Sequence, residues 1–82
     1  MQLEDEIGLA IDALEAVLRA AGCGLESVVK TTCYLHNIED LDLFNAVYLT
    51  RFAEPRPART TVQASLAMSL RFEIDAIAVI GA

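Results

Sequence analysis

Along this chain the spacing of apolar residues changes from three and four to two, and that switch limits the possible folds more than any other feature. Leu3, Ile7, Ala10, Ile11, Leu14, Val17, Leu18 and Ala21 recur at helical spacing, with Glu4, Asp5, Asp12, Glu15 and Arg19 on the other side. Leu70, Phe72, Ile74, Ala76, Ala78 and Ile80 instead alternate with Arg71, Glu73, Asp75, Ile77 and Val79, the period of a strand with one buried face. A chain carrying both periods belongs to the mixed helix-and-sheet classes.

The segments between are also legible. Acids in the first turns and Gly22 or Gly24 after the last apolar position bound the first helix, as the helix dipole and the left-handed C-terminal cap favour. Val28-Val29-Lys30-Thr31-Thr32-Cys33-Tyr34-Leu35 is rich in β-branched residues and reads as a strand. Asp40 or Asn37 can cap a second helix, with Leu41, Phe44, Tyr48 and Phe52 as its buried stripe and Pro55 and Pro57 beyond its end. Asn45 falls inside that stripe, so its amide either points to a subunit boundary or pairs with backbone.

Ala58 to Ala64 and Leu70 to Ile80 read as a hairpin, joined near Leu66-Ala67-Met68. In that pairing Thr60, Val62 and Ala64 share the core with the final strand. Arg59, Thr61 and Gln63 then face away from the core, beside Arg71, Glu73 and Asp75, with Arg59 and Glu73 opposite or diagonal neighbours. The element order is helix, strand, helix, strand, strand. A right-handed crossover through the second helix makes the first two strands parallel, with both helices on one face and the other face uncovered.

Eighty-two residues with 55% apolar side chains make one domain over residues 1–82. A domain of this size buries only about 60% of the surface of its unfolded chain, which favours an oligomer. The net charge of −6, without a basic stripe, argues against a nucleic-acid partner or an anionic membrane. The uncharged runs are far too short to cross a bilayer. Three acids near the start stand where a secretory signal needs basic residues, and Cys23 and Cys33 are too few for a disulfide framework. The expected compartment is the cytoplasm.

Arg59, Thr61, Glu73 and Asp75 are the best candidates for chemistry. A guanidinium holds a carboxylate through two parallel hydrogen bonds, and a nearby carboxylate can position or deprotonate water. The bland reading of the same residues is a solvated ladder of opposite charges. Cys33 and His36 have a spacing compatible with two metal ligands or a nucleophilic pair. A structural zinc needs four ligands, however, and Cys33 lies in an apolar strand where core filling is the ordinary role. Gly22-Cys23-Gly24 follows a helix, whereas phosphate cradles precede one.

Val29-Lys30-Thr31-Thr32, Pro57-Ala58-Arg59-Thr60-Thr61-Val62 and Phe72-Glu73-Ile74-Asp75-Ala76-Ile77-Ala78 resemble successive motifs of the RidA/YjgF family of enamine/imine deaminases. The first helix ending in Ala20-Ala21-Gly22 and the run Phe44-Asn45-Ala46-Val47-Tyr48 fit the same family in order and type. The resemblance implies a chorismate-mutase-like α/β (α+β) fold, helix-strand-helix-strand-strand with two helices on one face of a mixed sheet, assembled as a homotrimer with clefts between subunits. It further implies that Arg59 grips the substrate carboxylate and that Glu73 helps activate water. Thr61 would contact substrate through its backbone N–H, and Asn45 would line the cleft. The implied reaction is hydrolysis of 2-enamine/2-imino acids such as 2-aminoacrylate to a 2-keto acid and ammonia, with no metal or organic cofactor. By the same resemblance the domain is N-terminally shortened, since family members carry strands ahead of the first helix, with a tyrosine and a Gly-Gln-type motif in the cleft. The alternative is a non-catalytic oligomeric module that binds small carboxylates or a protein partner.

Overall fold

The computed structural model describes residues 1–81. Its main elements are α1 (Leu3–Ala20), β1 (Val28–Leu35), α2 (Leu41–Arg51), β2 (Ala58–Gln63) and β3 (Phe72–Ala78). Short 3-10 turns precede β1, α2 and β3.

The helix ends follow local chemistry. Glu4, Asp5 and Glu6 occupy the first turn of α1 and Arg19 its last. Gly22, at φ 87°, provides the left-handed residue that closes the helix. Its N–H donates to the Arg19 carbonyl, and the Cys23 N–H reaches back to Leu18, both at 3.0 Å, a Schellman ending. Of the two caps considered for the second helix, the Asn37 side chain makes the hydrogen bond, accepting from the Glu39 N–H at 3.0 Å. It caps the 3-10 turn Ile38–Asp40 that runs into α2, while Asp40 makes no side-chain cap bond.

The sheet order is β2-β1-β3. β1 and β2 run parallel, with Thr31 opposite Arg59 and Cys33 opposite Thr61, as expected for two strands joined through a helix. β3 runs antiparallel to β1, with Thr32 opposite Asp75 and Tyr34 opposite Glu73, and a register shift between Val28 and Lys30. The expected β2–β3 hairpin is therefore overturned, because β1 lies between the two strands. The link from Ala64 to Arg71 carries the chain across β1 rather than back alongside β2.

Both helices cover one face of the sheet. Ile7 and Ile11 of α1, Phe44 and Tyr48 of α2, Cys33 and Leu35 of β1, and Phe72 of β3 form the centre of the core. Aromatic rings carry much of it. Phe44 lies 5.4 Å from Tyr48 and 5.3 Å from Phe72, and Tyr48 stacks on Phe52 at 4.5 Å between centroids. Each such side chain contributes about 1.5–3 kcal/mol through burial. The Tyr48 hydroxyl shares a 2.8 Å hydrogen bond with the wholly buried Thr31 Oγ1, so both polar atoms enter the core satisfied.

A polar clamp ties the start of α1 to the start of β3. Glu6 accepts from the Arg71 backbone N–H at 2.7 Å and from its Nε at 2.8 Å, while Arg71 Nη2 donates to the Met1 carbonyl at 2.8 Å. These bonds, with the backbone donor of Arg71 foremost, hold the Glu6 carboxyl below its ordinary range.

Candidate functional site

The strand order decides which side chains meet. Residues in register across a sheet share a face, so Arg59 and Thr61, opposite Thr31 and Cys33, lie on the helix face. Glu73 and Asp75, opposite Tyr34 and Thr32, lie on the open face. The expectation that Arg59 and Glu73 are neighbours on one polar face is overturned, and with it the assignment of Thr60 and Val62 to the core. Arg59 does not face away from the core: its guanidinium carbon sits 5.0 Å from the Phe44 ring centre and 4.9 Å from that of Tyr48. The face assignment failed because it rested on a hairpin partner that β2 does not have.

On an edge strand, Arg59 reaches over the aromatic end of the core into solvent. Its guanidinium is held by the two rings. Arg19, Arg51, Arg56 and Arg71 each pair with a carboxylate. Among the described residues Arg59 has neither an ion pair nor a hydrogen bond, so its planar fork is free for a carboxylate.

Beside it is a cavity of about 360 Å³ lined by Asn45, Tyr48, Leu49, Arg56, Pro57 and Arg59. Two buried side-chain oxygens of this region, Asn45 Oδ1 and Thr61 Oγ1, have no hydrogen-bond partner among the described residues. Leaving such atoms unpaired costs about 1–3 kcal/mol each; of the two residues, Asn45 also lines the cavity. Of the two expectations for Asn45, pairing with backbone is not made by its Oδ1. Thr61 follows Arg59 on the same strand face but does not line the cavity.

Glu73 is exposed on the open face, away from this cavity. Near it the Tyr34 hydroxyl donates to Asp75 Oδ2 at 2.9 Å, which pushes the Tyr34 phenol upward. Lys30, also on that face, donates to Thr60 Oγ1 at 2.8 Å. Val62 and Ile77 leave apolar surface beside these polar groups, Ile77 being 62% exposed. The open face therefore mixes acids, hydroxyls and aliphatic side chains.

Cys33 is wholly buried, and desolvation pushes its thiol up to about 11. That environment suits core packing rather than a thiolate nucleophile. His36 lies beyond the strand end and is exposed. Among the described residues no three or more His, Cys, Asp and Glu side chains converge on a metal-sized site.

Sequence reasoning singled out Arg59 and Asn45, and the fold brings both to one cavity. It read Tyr48 only as core, although that ring also supports Arg59. It assigned no role to Leu49 or Arg56. The helical spacing of Asn45 and Leu49, four residues apart, was the available signal that they share a side of α2.

The family described as Endoribonuclease L-PSP matches residues 1–80. A RutC family protein of Pyrococcus horikoshii is 38% identical over 77 residues, which are 93% of this chain and 61% of that protein. The 2-iminobutanoate/2-iminopropanoate deaminase of Rattus norvegicus is 44% identical over 78 residues, 94% of this chain and 57% of the relative. Among solved structures, E. coli TdcF with bound serine superposes with a TM-score of 0.90 at 30% identity, covering 96% of this chain and 65% of that one. The chain thus spans about three fifths of the length of the curated relatives it matches.

Proposed function

The chain belongs to the Endoribonuclease L-PSP family, known also as RidA/YjgF, and from that membership and the Arg59 cavity we propose that it deaminates reactive 2-enamine/2-imino acids such as 2-aminoacrylate. The observation that carries this reading is the unpaired Arg59 guanidinium, held over Phe44 and Tyr48 beside the unsatisfied Asn45 Oδ1.

In this reading Arg59 binds the substrate carboxylate and fixes the C=N carbon for attack. Asn45 Oδ1 accepts from the imine nitrogen, and the Thr61 backbone N–H serves as a further contact. Water adds its oxygen to the imine carbon, giving a carbinolamine. The C–N bond then breaks, ammonia leaves with the transferred protons, and the 2-keto acid remains. Glu73 is the base for that water. Since it lies on the sheet face opposite Arg59, it must come from another copy of the chain, so the proposed cleft lies between subunits, and the family resemblance makes the proposed assembly a homotrimer. The mixed polar and aliphatic open face is suited to such a contact.

The comparison with the rat deaminase supports the substrate class. An endoribonuclease role, by contrast, would need a path of cations along successive phosphates, and the chain carries six basic side chains against twelve acidic ones. No helix among the described residues is long and apolar enough to cross a membrane. The reading has the protein in the cytoplasm, in keeping with two unpaired cysteines. The non-catalytic alternative keeps Arg59 as an anion anchor and omits turnover.

The decisive experiment follows conversion of an enzymatically generated 2-imino acid to its 2-keto acid, with wild type and Arg59→Ala at equal concentration. Acceleration by wild type alone is expected. Tight binding of a 2-keto acid without acceleration would replace the deaminase by the binding module.

A further inference from the structure

The cavity beside Arg59 has a second guanidinium in its wall. Arg56 lines it together with Asn45, Tyr48, Leu49, Pro57 and Arg59. The chain has twelve acidic side chains against six basic ones, yet this cavity is lined by two arginines and no carboxylate. Such a concave surface concentrates positive potential and attracts anions.

Arg56 is anchored on one side and available on the other. Its Nε donates to the Phe52 carbonyl at 2.8 Å, at the end of α2. Its Nη1 meets Glu54 Oε1 at 3.1 Å, but the Glu54 side chain is 82% exposed while that of Arg56 is 34% exposed. An exposed partner of this kind holds weakly and can be exchanged for a ligand carboxylate. Nη2 has no partner among the described residues.

We infer that Arg56 selects dicarboxylic 2-imino acids, with one carboxylate on Arg59 and the side-chain carboxylate on Arg56. The inference deepens the deaminase reading and rests on it for the reacting group. A monocarboxylate can occupy only one of the two forks. A second carboxylate gains a charge-assisted hydrogen bond in a partly desolvated site, whereas an aliphatic end leaves Arg56 without a ligand. Leu49, 51% exposed at the side of the cavity, offers apolar surface to the intervening methylenes.

The test is calorimetric binding of 2-oxoglutarate and of 2-oxopentanoate, which has the same chain length without the second carboxylate. Wild type is expected to bind 2-oxoglutarate about tenfold more tightly, the worth of one charge-assisted contact. Arg56→Gln brings the two affinities together by weakening 2-oxoglutarate, and thermal unfolding checks that the variant remains folded. Glu54→Gln, at an exposed position, frees Nη1 and strengthens 2-oxoglutarate selectively, so the test stands even if Arg56→Gln does not fold. Equal affinities in wild type, or equal weakening of both ligands by Arg56→Gln, would overturn the inference. Imine hydrolysis is read separately: turnover without dicarboxylate preference removes only the role of Arg56, and preference without turnover removes the deaminase.

Discussion

Arg59 and Glu73 occupy opposite faces of one three-stranded sheet, Arg59 in register with the buried Thr31 and Glu73 with Tyr34 on the open side. If both act on one substrate, two copies of the chain must supply them. Arg59→Ala should lower kcat/KM about a hundredfold, and Glu73→Gln should also abolish most turnover. A refolded mixture of the two inactive variants should regain part of the activity, because some clefts then receive Arg59 from one copy and Glu73 from the other. A mixture as inactive as its parents would remove the shared cleft. Because Arg59 covers Phe44 and Tyr48, its replacement by alanine should also cost about 1 kcal/mol of stability.

Tyr48 and Thr31 test the buried polar pair. Tyr48→Phe leaves the wholly buried Thr31 Oγ1 without its strong partner and should destabilise by about 1–3 kcal/mol in urea unfolding. Adding Thr31→Val should cost less than the separate effects summed, since the second change removes the stranded hydroxyl.

Glu6 should govern acid stability. Its folded carboxyl titrates below the ordinary 4.5, so its contribution is present above that pH and is lost as pH falls through the lowered folded value. Glu6→Gln should cost about 1 kcal/mol at neutral pH, discounted because the Arg71 side chain is 41% exposed, and should flatten the fall on acidification. Urea midpoints measured from neutral pH down to below 4.5 read both effects.

Cys33 should govern the alkaline side. The thiol titrates at about 11 in the folded chain against an ordinary 9.0, so the unfolded state loses its proton first. Stability from this group is full below 9.0 and is lost as pH rises towards 11, by about 2 kcal/mol. Cys33→Ala should show a shallower decline over that window. A thiol reagent should modify Cys23 well before Cys33, which is wholly buried.

The elements were legible because each is encoded in local spacing: α1 by its apolar stripe, β3 by strict alternation, the α1 stop by Gly22. The parallel β1–β2 pair was legible through its connection, since a helical crossover favours it. The position of β1 between β2 and β3 was not, because consecutive strands with a short link look alike whether they pair or straddle a third. The face of β2 then followed the wrong neighbour. Its own alternation gave no warning, as an edge strand can leave Val62 in solvent while Arg59 covers aromatic rings. Motif resemblance offered Arg59 and Asn45 as candidates without that geometry, while Arg56 entered only when its cavity was seen.

The central place of β1 also sets the order in which the molecule can assemble. Its two edges wait for partners far along the chain, Arg59 for Thr31 on one side and Asp75 for Thr32 on the other. Local contacts suffice for α1, but among the described residues the sheet gains its second pair only when β3 joins β1. Until then β1 is an open template of apolar and β-branched residues. Such distant pairings slow folding relative to a helical bundle of equal size and leave the nascent chain dependent on early shielding of that one strand.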